Sequence, residues 1–403
     1  MRTLNIILYV NNYIPIIGGR EIVVHYLARE FLRMGHNVRV LGPSGWWKYR
    51  NLQFEYPIHR WPTLRGLFEE QVTFAQLKMD VALWGCDIIH AHSTFPSGYA
   101  VTKLKKRKRI PLVITPHGED IHVVPEISFG HRLDPIKRRK IDVAIEKAEI
   151  LTAISKGVEH SLHNAGCPGS KIRAIPNGID HERFQRKNLP DMRKWLGIAK
   201  NAPVILSVGN YHPRKGHEVL LGAMPLILQS LPNAQLVIAG RNPDALQPVI
   251  TSLGLTDHVH LTGAIPFPLT LLNDHATSHT MGTDDHLAAL YTGSDVYVSA
   301  SIDEGAEGLS LALLDAMAAG LPVVATAISG NIDIVKNGQS GLIVPPSDTQ
   351  SLGNAVVQIL THQQLKSSMG AESHRAIQPF HWRKIAQRYL DVYKEAITQC
   401  RSA

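Results

Sequence analysis

The sequence predicts an α/β protein made of two doubly wound parallel-sheet domains. Three observations carry that reading. A chain of 403 residues is too long for one ordinary core. Short apolar strands alternate with amphipathic helical stretches from end to end, a pattern that implies parallel strands with crossover helices. A polar stretch at about 185–201 separates two such series.

The first series contains NIILYV (5–10), NVRVLG (37–42), DIIHAH (87–92), PLVITP (111–116) and ILTAIS (150–155). Between the first two lies REIVVHYLAREFLRMG (20–35), whose apolar residues recur at helical intervals. IRAIPNGIDHERF (172–184) closes this half with a Pro-Asn-Gly turn. The second series contains VILSVG (204–209), AQLVIAG (234–240), HVHLTG (258–263), DVYVSAS (295–301), PVVAT (322–326) and GLIVPP (341–346). These place one domain at 1–185, a second at 186–379, and a terminal helical segment at 380–403 that includes a helix from about Trp382 to Gln399.

Composition narrows the function classes. Hydrophobic content of 44% with 31 Gly and 24 Pro suits a soluble, loop-rich chain. Cys86, Cys167 and Cys400 are far apart and match no metal-ligand spacing, which points to a reducing cytoplasm. No apolar run approaches the roughly 18 residues of a spanning helix. The apolar start at 5–10 is too short for a signal segment and reads as the first buried strand.

The net charge of +8 is unevenly spread. Residues 1–185 hold 26 Lys and Arg against 17 Asp and Glu, a net +9, concentrated in KLKKRKR (103–109) and HRLDPIKRRK (131–140). Such runs serve as solvated surface or as a contact for anionic lipid, where each basic side chain contributes about 1 kcal/mol. They contain no interleaved aromatics for base stacking, which argues against nucleic acid.

The most informative segment is EGLSLALLDAMAAGLPVVAT (307–326). A Gly-containing loop with Glu307, Gly308, Leu309 and Ser310 leads into a helix from about Leu311, ended by Gly320 and Pro322. Asp315 then sits just over one turn in, near the helix mouth where backbone N–H groups favour an anion. Two carboxylates beside such a mouth suit a sugar nucleotide: one accepts from sugar hydroxyls, the other from ribose, and the diphosphate lies at the helix start.

This segment resembles the acid–seven residues–acid motif of retaining family 4 glycosyltransferases, whose fold is called GT-B. Asp315 stands where that family usually has Glu, with a reach shorter by about 1.5 Å. The resemblance implies two Rossmann-like domains facing a cleft, with the terminal helix packing back on the first. Matches run from Pro15 to about Trp382. PIIGG (15–19) resembles the first loop, where Gly18 and Gly19 allow backbone approach to substrate or phosphate. PLVITPHGEDI (111–121) resembles the threonine-x-His-Gly-x-Asp loop, which would set His117 near the transferred sugar.

In SVGNYHPRKGHEVLL (207–221), Lys215 is the cation that would neutralise a departing diphosphate. The family often has Arg where this chain has Asn210, so Arg214 is the candidate to compensate and Arg241 a weaker one. IPNGID (175–180) and SGNID (329–333), with Asp333 at the acidic position, match further family loops and serve either as turns or as nucleotide contacts. Catalytic roles are thus expected for Lys215, Glu307 and His117. Donor binding is expected from Gly18, Gly19, Asn210, Arg214, Lys215, Glu307, Gly308, Leu309, Ser310 and Asp315.

The segment 266–290 carries His275, His279 and His286 with Asp274, Asp284 and Asp285. His275 and His279 have helical metal-ligand spacing, although a His-rich chain clusters such residues by chance. With no Asp-x-Asp triad, neither metal nor other cofactor is expected.

The function so implied is transfer of a sugar from a nucleotide diphosphate sugar to an acceptor hydroxyl, with retention and with domain closure excluding water. The expected setting is cell-surface polysaccharide or lipid-linked glycan synthesis, in the cytoplasm or on the inner membrane face. The expected partners are a sugar-nucleotide donor, a glycan or lipid-linked acceptor and an anionic membrane. A sugar-nucleotide epimerase and a non-catalytic sugar-nucleotide-binding module are the alternatives.

Overall fold

The computed structural model describes residues 2–14, 18–42, 54–61, 69–105, 109–266, 268, 271, 283–302 and 308–402, the side chains of 69, 70 and 105 excepted. The chain divides into two compact units, one formed by Met1–Gly178 with Trp382–Ala403 and the other by Ile179–His381.

The first unit contains β1 (Asn5–Tyr9), α1 (Gly19–Arg33), β2 (Asn37–Leu41), β3 (Ile58–His59), α2 (Glu69–Trp84), β4 (Ile88–Ala91) and α3 (Tyr99–Lys105). It continues with β5 (Leu112–Ile114), α4 (Pro135–Lys147), β6 (Ile150–Ala153), α5 (Lys156–Asn164) and β7 (Ile172–Ala174). The second unit contains α6 (Met192–Leu196), β8 (Val204–Val208), α7 (His217–Ser230), β9 (Gln235–Ala239), α8 (Gln247–Ser252), β10 (Val259–Gly263), α9 (His286–Gly293) and β11 (Val296–Ser299). It ends with α10 (Leu311–Ala318), β12 (Val323–Thr326), α11 (Asn331–Ile334), β13 (Gly341–Val344), α12 (Thr349–Thr361) and α13 (Gln363–Ala376). The last helix, α14 (Trp382–Ser402), belongs to the first unit.

Among the described residues the first sheet has seven strands in the order β3-β2-β1-β4-β5-β6-β7, and the second has six in the order β10-β9-β8-β11-β12-β13. All of these pairings are parallel. Side chains alternate faces along a strand, so each sheet feeds two apolar layers. In the second unit Leu206, Val237, Tyr297 and Val323 pack with Leu313, Leu314 and Met317 of α10 on one face. Ile205, Leu236, Val298 and Val324 pack with Leu220 of α7 and Val356 of α12 on the other. Each fully buried Leu, Ile or Val contributes about 1.5–3 kcal/mol.

Side chains mark the helix starts. Asp134 accepts from the Ile136 and Lys137 N–H groups at 2.8 and 3.2 Å, and Pro135 supplies the preset first-turn φ. Asp285 caps α9 through the Ala288 N–H at 3.0 Å.

Three local expectations differ from the structure. The polar stretch read as a linker contains α6, and its Met192 and Ile198 are buried in the second unit's core. The exchange between units falls at Gly178 and Ile179 and again at His381 and Trp382. Strands β3 and β7 were not anticipated; they span two and three residues, too short for a period to show.

α14 is held in the first unit by an aromatic and hydroxyl seam. Trp382 stacks on Tyr26 with ring centroids 5.3 Å apart. The Tyr393 hydroxyl lies 2.7 Å from His90 Nδ1, and His90 Nε2 lies 2.7 Å from Thr115 Oγ1. Burial pushes the His90 imidazole down to about 3, so it stays neutral and bridges helix and strand. Replacing Tyr393 with Phe leaves a buried ring nitrogen without its partner. Chemical denaturation should show a loss of about 1–3 kcal/mol, whereas an unchanged midpoint would mean the bond contributes nothing.

Candidate active site

In an open parallel sheet the loops after the strands collect at one edge. In the second unit this edge joins the segments singled out by sequence. Gly216 has φ +64°, and a Cβ there would lie 1.9 Å from the Ala300 carbonyl oxygen. The Pro213–Lys215 turn therefore rests on the end of β11, and the Ile302 N–H donates to the Arg214 carbonyl at 2.9 Å. Lys215 runs beside Gly209, from whose ideal Cβ position its Cδ and Cε are 3.6 Å away. Gly330, at φ +86°, is pressed against the Gly308 carbonyl, where a Cβ would lie 2.0 Å away. The loops holding Lys215, Gly308 and Asp333 thus form one connected edge.

Residues 303–307, Glu307 included, lie outside the described residues. Gly308, Leu309 and Ser310 lead into α10 as expected, and among the described residues no side chain caps that helix start. Leu309 is buried in the core. The Asn210 side-chain oxygen accepts from the Arg241 N–H at 2.9 Å, tying the loop after β8 to the loop after β9.

Asp315 does not stand open at the helix mouth. Its side chain is 14% exposed and its Oδ2 lies 3.8 Å from Arg183 Nη1. Arg183 is held elsewhere: its Nε and Nη2 donate to the two oxygens of Asp285, each at 2.7 Å, and that carboxylate is fully buried. Arg183 is therefore largely neutralised before it meets Asp315. Desolvation pushes the Asp315 carboxyl up to about 7; Arg183 opposes the rise, and Asp285 and Asp180 add to it. Tyr291 has a buried hydroxyl without a hydrogen-bond partner among the described residues. Burial and then Asp315 hold its pKa well above the usual phenol range, so it keeps its proton.

Sequence reasoning missed Arg183, Asp285 and Tyr291 as the surroundings of Asp315. The sequence offers Asp285 only as a member of a His- and Asp-rich cluster; it is the partner of Arg183 and the cap of α9. His275 and His279 lie outside the described residues.

The equivalent edge of the first unit gathers the loops after β4 and β5 with the start of α1. The buried Asp120 carboxylate accepts from the Thr94 N–H at 2.6 Å and the His117 N–H at 2.9 Å, joining the two loops. His117 Nε2 lies 3.2 Å from His92 Nδ1. Burial holds His117 well below the usual imidazole range, and the positive Arg20 adds to that. It is a neutral hydrogen-bonding group. Gly18 is extended at φ −142°, directly before the first turn of α1, and a Cβ there would lie 2.7 Å from Glu21 Oε2. Glu21 in turn pairs with Arg20 at 3.1 Å. Arg20, which follows Gly19, is the cation of this edge that sequence reasoning passed over.

Residues 17–183 match the family described as Glycosyltransferase Family 4, and residues 202–362 match Glycosyl transferases group 1. The chain belongs to this family of glycosyltransferases. It is 23% identical over 397 residues to N-acetyl-alpha-D-glucosaminyl L-malate synthase of Bacillus anthracis, with 95% of each chain covered. It is 25% identical to a GDP-mannose-dependent alpha-(1-6)-phosphatidylinositol monomannoside mannosyltransferase of Mycolicibacterium smegmatis, covering 96% of this chain and 97% of the relative.

Among solved structures, sucrose-phosphate synthase from Thermosynechococcus elongatus superposes with a TM-score of 0.79 at 22% identity, over 99% of this chain and 100% of that one. Anabaena HepE in complex with UDP and glucose superposes at 0.78 and 20% identity, over 97% and 100%. The fold of this glycosyltransferase is GT-B.

The Arg183–Asp285 pair anchors the wall behind Asp315 and sets a testable cost. Replacing Arg183 with Gln strands a buried carboxylate, so denaturant unfolding should reveal a loss of about 3–5 kcal/mol. A loss below about 1 kcal/mol would place the pair in the class of exposed ion pairs.

Proposed function

We propose that this glycosyltransferase takes its sugar from a nucleotide diphosphate sugar bound by the second unit and delivers it to an acceptor hydroxyl bound by the first. Transfer proceeds with retention of configuration and without a metal ion. The observation that carries the reading is the contact of the Lys215 turn with the end of β11, and of Gly330 with Gly308 at the start of α10, along one edge of the second sheet. The names of the relatives agree with it, since one is GDP-mannose-dependent and a structural neighbour was solved with UDP and glucose.

In this reading Lys215, aided by Arg214, neutralises the charge that develops on the diphosphate. The amides of Gly308, Leu309 and Ser310 hold phosphate oxygens. Asp315 accepts from ribose hydroxyls and Glu307 from the sugar. Asn210 positions its loop through Arg241 and contributes no charge. On the first unit, His117 shapes the acceptor side as a neutral group, beside Arg20 and the backbone at Gly18 and Gly19.

The bond from the anomeric carbon to the diphosphate oxygen breaks as the bond to the acceptor oxygen forms on the same face. The acceptor proton passes to the departing phosphate oxygen, so no side chain need act as nucleophile. The phosphatidylinositol monomannoside in one relative's name favours a lipid-linked acceptor, which the enzyme would meet at the inner membrane face. The engaged Asn210 favours a second reading, a sugar-nucleotide-binding module without turnover; donor binding with no transfer across a broad acceptor panel would establish it. Donor conversion without any acceptor would instead mark an epimerase.

Two outcomes test the proposal. Glu307→Ala should abolish transfer and Lys215→Ala should lower kcat by about 10²–10³-fold, with thermal unfolding unchanged. Near-normal turnover in both would remove the donor assignment, and an inverted product would remove the front-face route.

Asp315 adds a pH signature. Its carboxyl is protonated below about 7 and a better acceptor above, so donor affinity should rise with pH through that value. In Asp315→Asn, calorimetric affinity should become flat across the same range. A slope that persists in the variant assigns the titration to another group.

A further inference from the structure

A cavity of about 290 Å³ lies in the first unit, lined by Ile121, Val123, Arg132, Arg138, Ser161 and Asn164. Nothing in the transfer reaction uses it. The Arg132 side chain is only 8% exposed. Its Nη2 donates to Asp142 Oδ1 at 3.1 Å, and its Nε is buried without a hydrogen-bond partner among the described residues. Burial disfavours the Arg132 charge, Asp142 supports it, and Arg138 acts against it. The Asp142 carboxylate that pairs with Arg132 is itself 45% exposed. Guanidinium stays charged in proteins, so Arg132 and Arg138 line the cavity with positive charge.

The polar remainder suits an anion with several oxygens. Ser161 Oγ pairs with His122 Nδ1 at 2.7 Å, and the Asn164 amide is exposed at the lining. The surroundings are apolar in a way a soluble ligand does not require. Val123 is 44% exposed, and Leu133 and Ile136, beside the two arginines in the chain, are 40% and 67% exposed. A wider basic surface adjoins them. Lys103 of α3 and Lys140 of α4 both sit over the Tyr99 ring, at 5.1 and 5.5 Å, so the two basic runs of the sequence converge. The nearby carboxylate of Glu119 is engaged with His131 at 3.4 Å.

We propose that this cavity binds the phosphate of an anionic lipid headgroup, with Arg132 and Arg138 as its cationic walls and Leu133 and Ile136 entering the acyl region. Guanidinium and phosphate form paired charge-assisted hydrogen bonds. The converging basic runs supply the longer-range attraction. The inference rests on the membrane-facing reading of the first unit and gives that reading a defined site.

The test is co-sedimentation of the whole chain with phosphatidylcholine vesicles, with and without phosphatidylglycerol, at low and high salt. Arg138 is exposed, so Arg138→Gln should fold normally and weaken binding to anionic vesicles about fivefold. That loss should persist at high salt, because a seated headgroup is screened less than a surface charge. Glutamine at Lys105, Lys106, Arg107, Lys108 and Arg109 should weaken binding at low salt alone. Leu133→Ser with Ile136→Ser should weaken vesicle binding while inorganic phosphate, titrated by calorimetry, binds as before.

Wild-type binding by Arg138→Gln overturns the site while leaving the basic runs as the membrane contact. Indifference of the wild-type chain to phosphatidylglycerol overturns the site and the membrane reading together. Phosphate binding that depends on Arg138, with vesicle binding that does not, overturns the lipid as its source. Transfer to a soluble acceptor, measured on the same variants, reads the catalytic proposal separately.

Discussion

Every described strand pairing in both sheets is parallel, and the remaining features of this chain follow from that constraint. A parallel sheet needs a crossover after each strand, and those crossovers bury both faces. The backbone left over is the set of loops at the carboxyl ends. In the second unit the crossovers bring the turn at Lys215, the end of β11 with Gly308, and the loop at Gly330 from three separate stretches to one edge. The close contacts at Gly216 and Gly330 show how tightly these loops are set: a side chain at either position would collide with a neighbouring carbonyl. In the first unit Asp120 plays the corresponding part, holding two loops through backbone N–H groups.

On that scaffold, burial determines which groups carry charge. His90, His92 and His117 are all pushed below the usual imidazole range by burial. His90 spends both ring nitrogens on Tyr393 and Thr115, His92 and His117 face each other as neutral groups, and Arg20 brings positive charge close to them. In the second unit the order is reversed. Arg183 has its charge balanced by Asp285, and Asp315 is left in a desolvated position with negative neighbours. A carboxyl so placed is sensitive to the arrival of a hydroxyl donor. This Asp, where the family usually has Glu, is therefore argued from its surroundings as much as from its reach.

The sheet architecture was readable because each main strand is a run of apolar residues bounded by Gly, Pro or polar turns. The α10 segment was readable for the same reason, its end marked by Gly320 and Pro322. What surrounds Asp315 was not readable. Arg183 and Asp285 are 102 residues apart, and neither local pattern points to the other. Asn210 looked like a missing cation and proved to be a bridge to Arg241, a contact between adjacent strand ends. The supposed linker belongs to the second unit because Met192 and Ile198 anchor it, and its helix α6 spans only five residues, too short for a helical period to stand out.

The central claim is that the second unit's strand-end loops hold a nucleotide diphosphate sugar. Calorimetric titration with UDP-, GDP-, ADP- and dTDP-sugars, in metal-free buffer and with the free nucleotides as controls, tests it most directly. Selective binding of one donor, weakened in Lys215→Ala, is the predicted result. No binding by any donor at millimolar concentration, or binding indifferent to Lys215, would contradict the account.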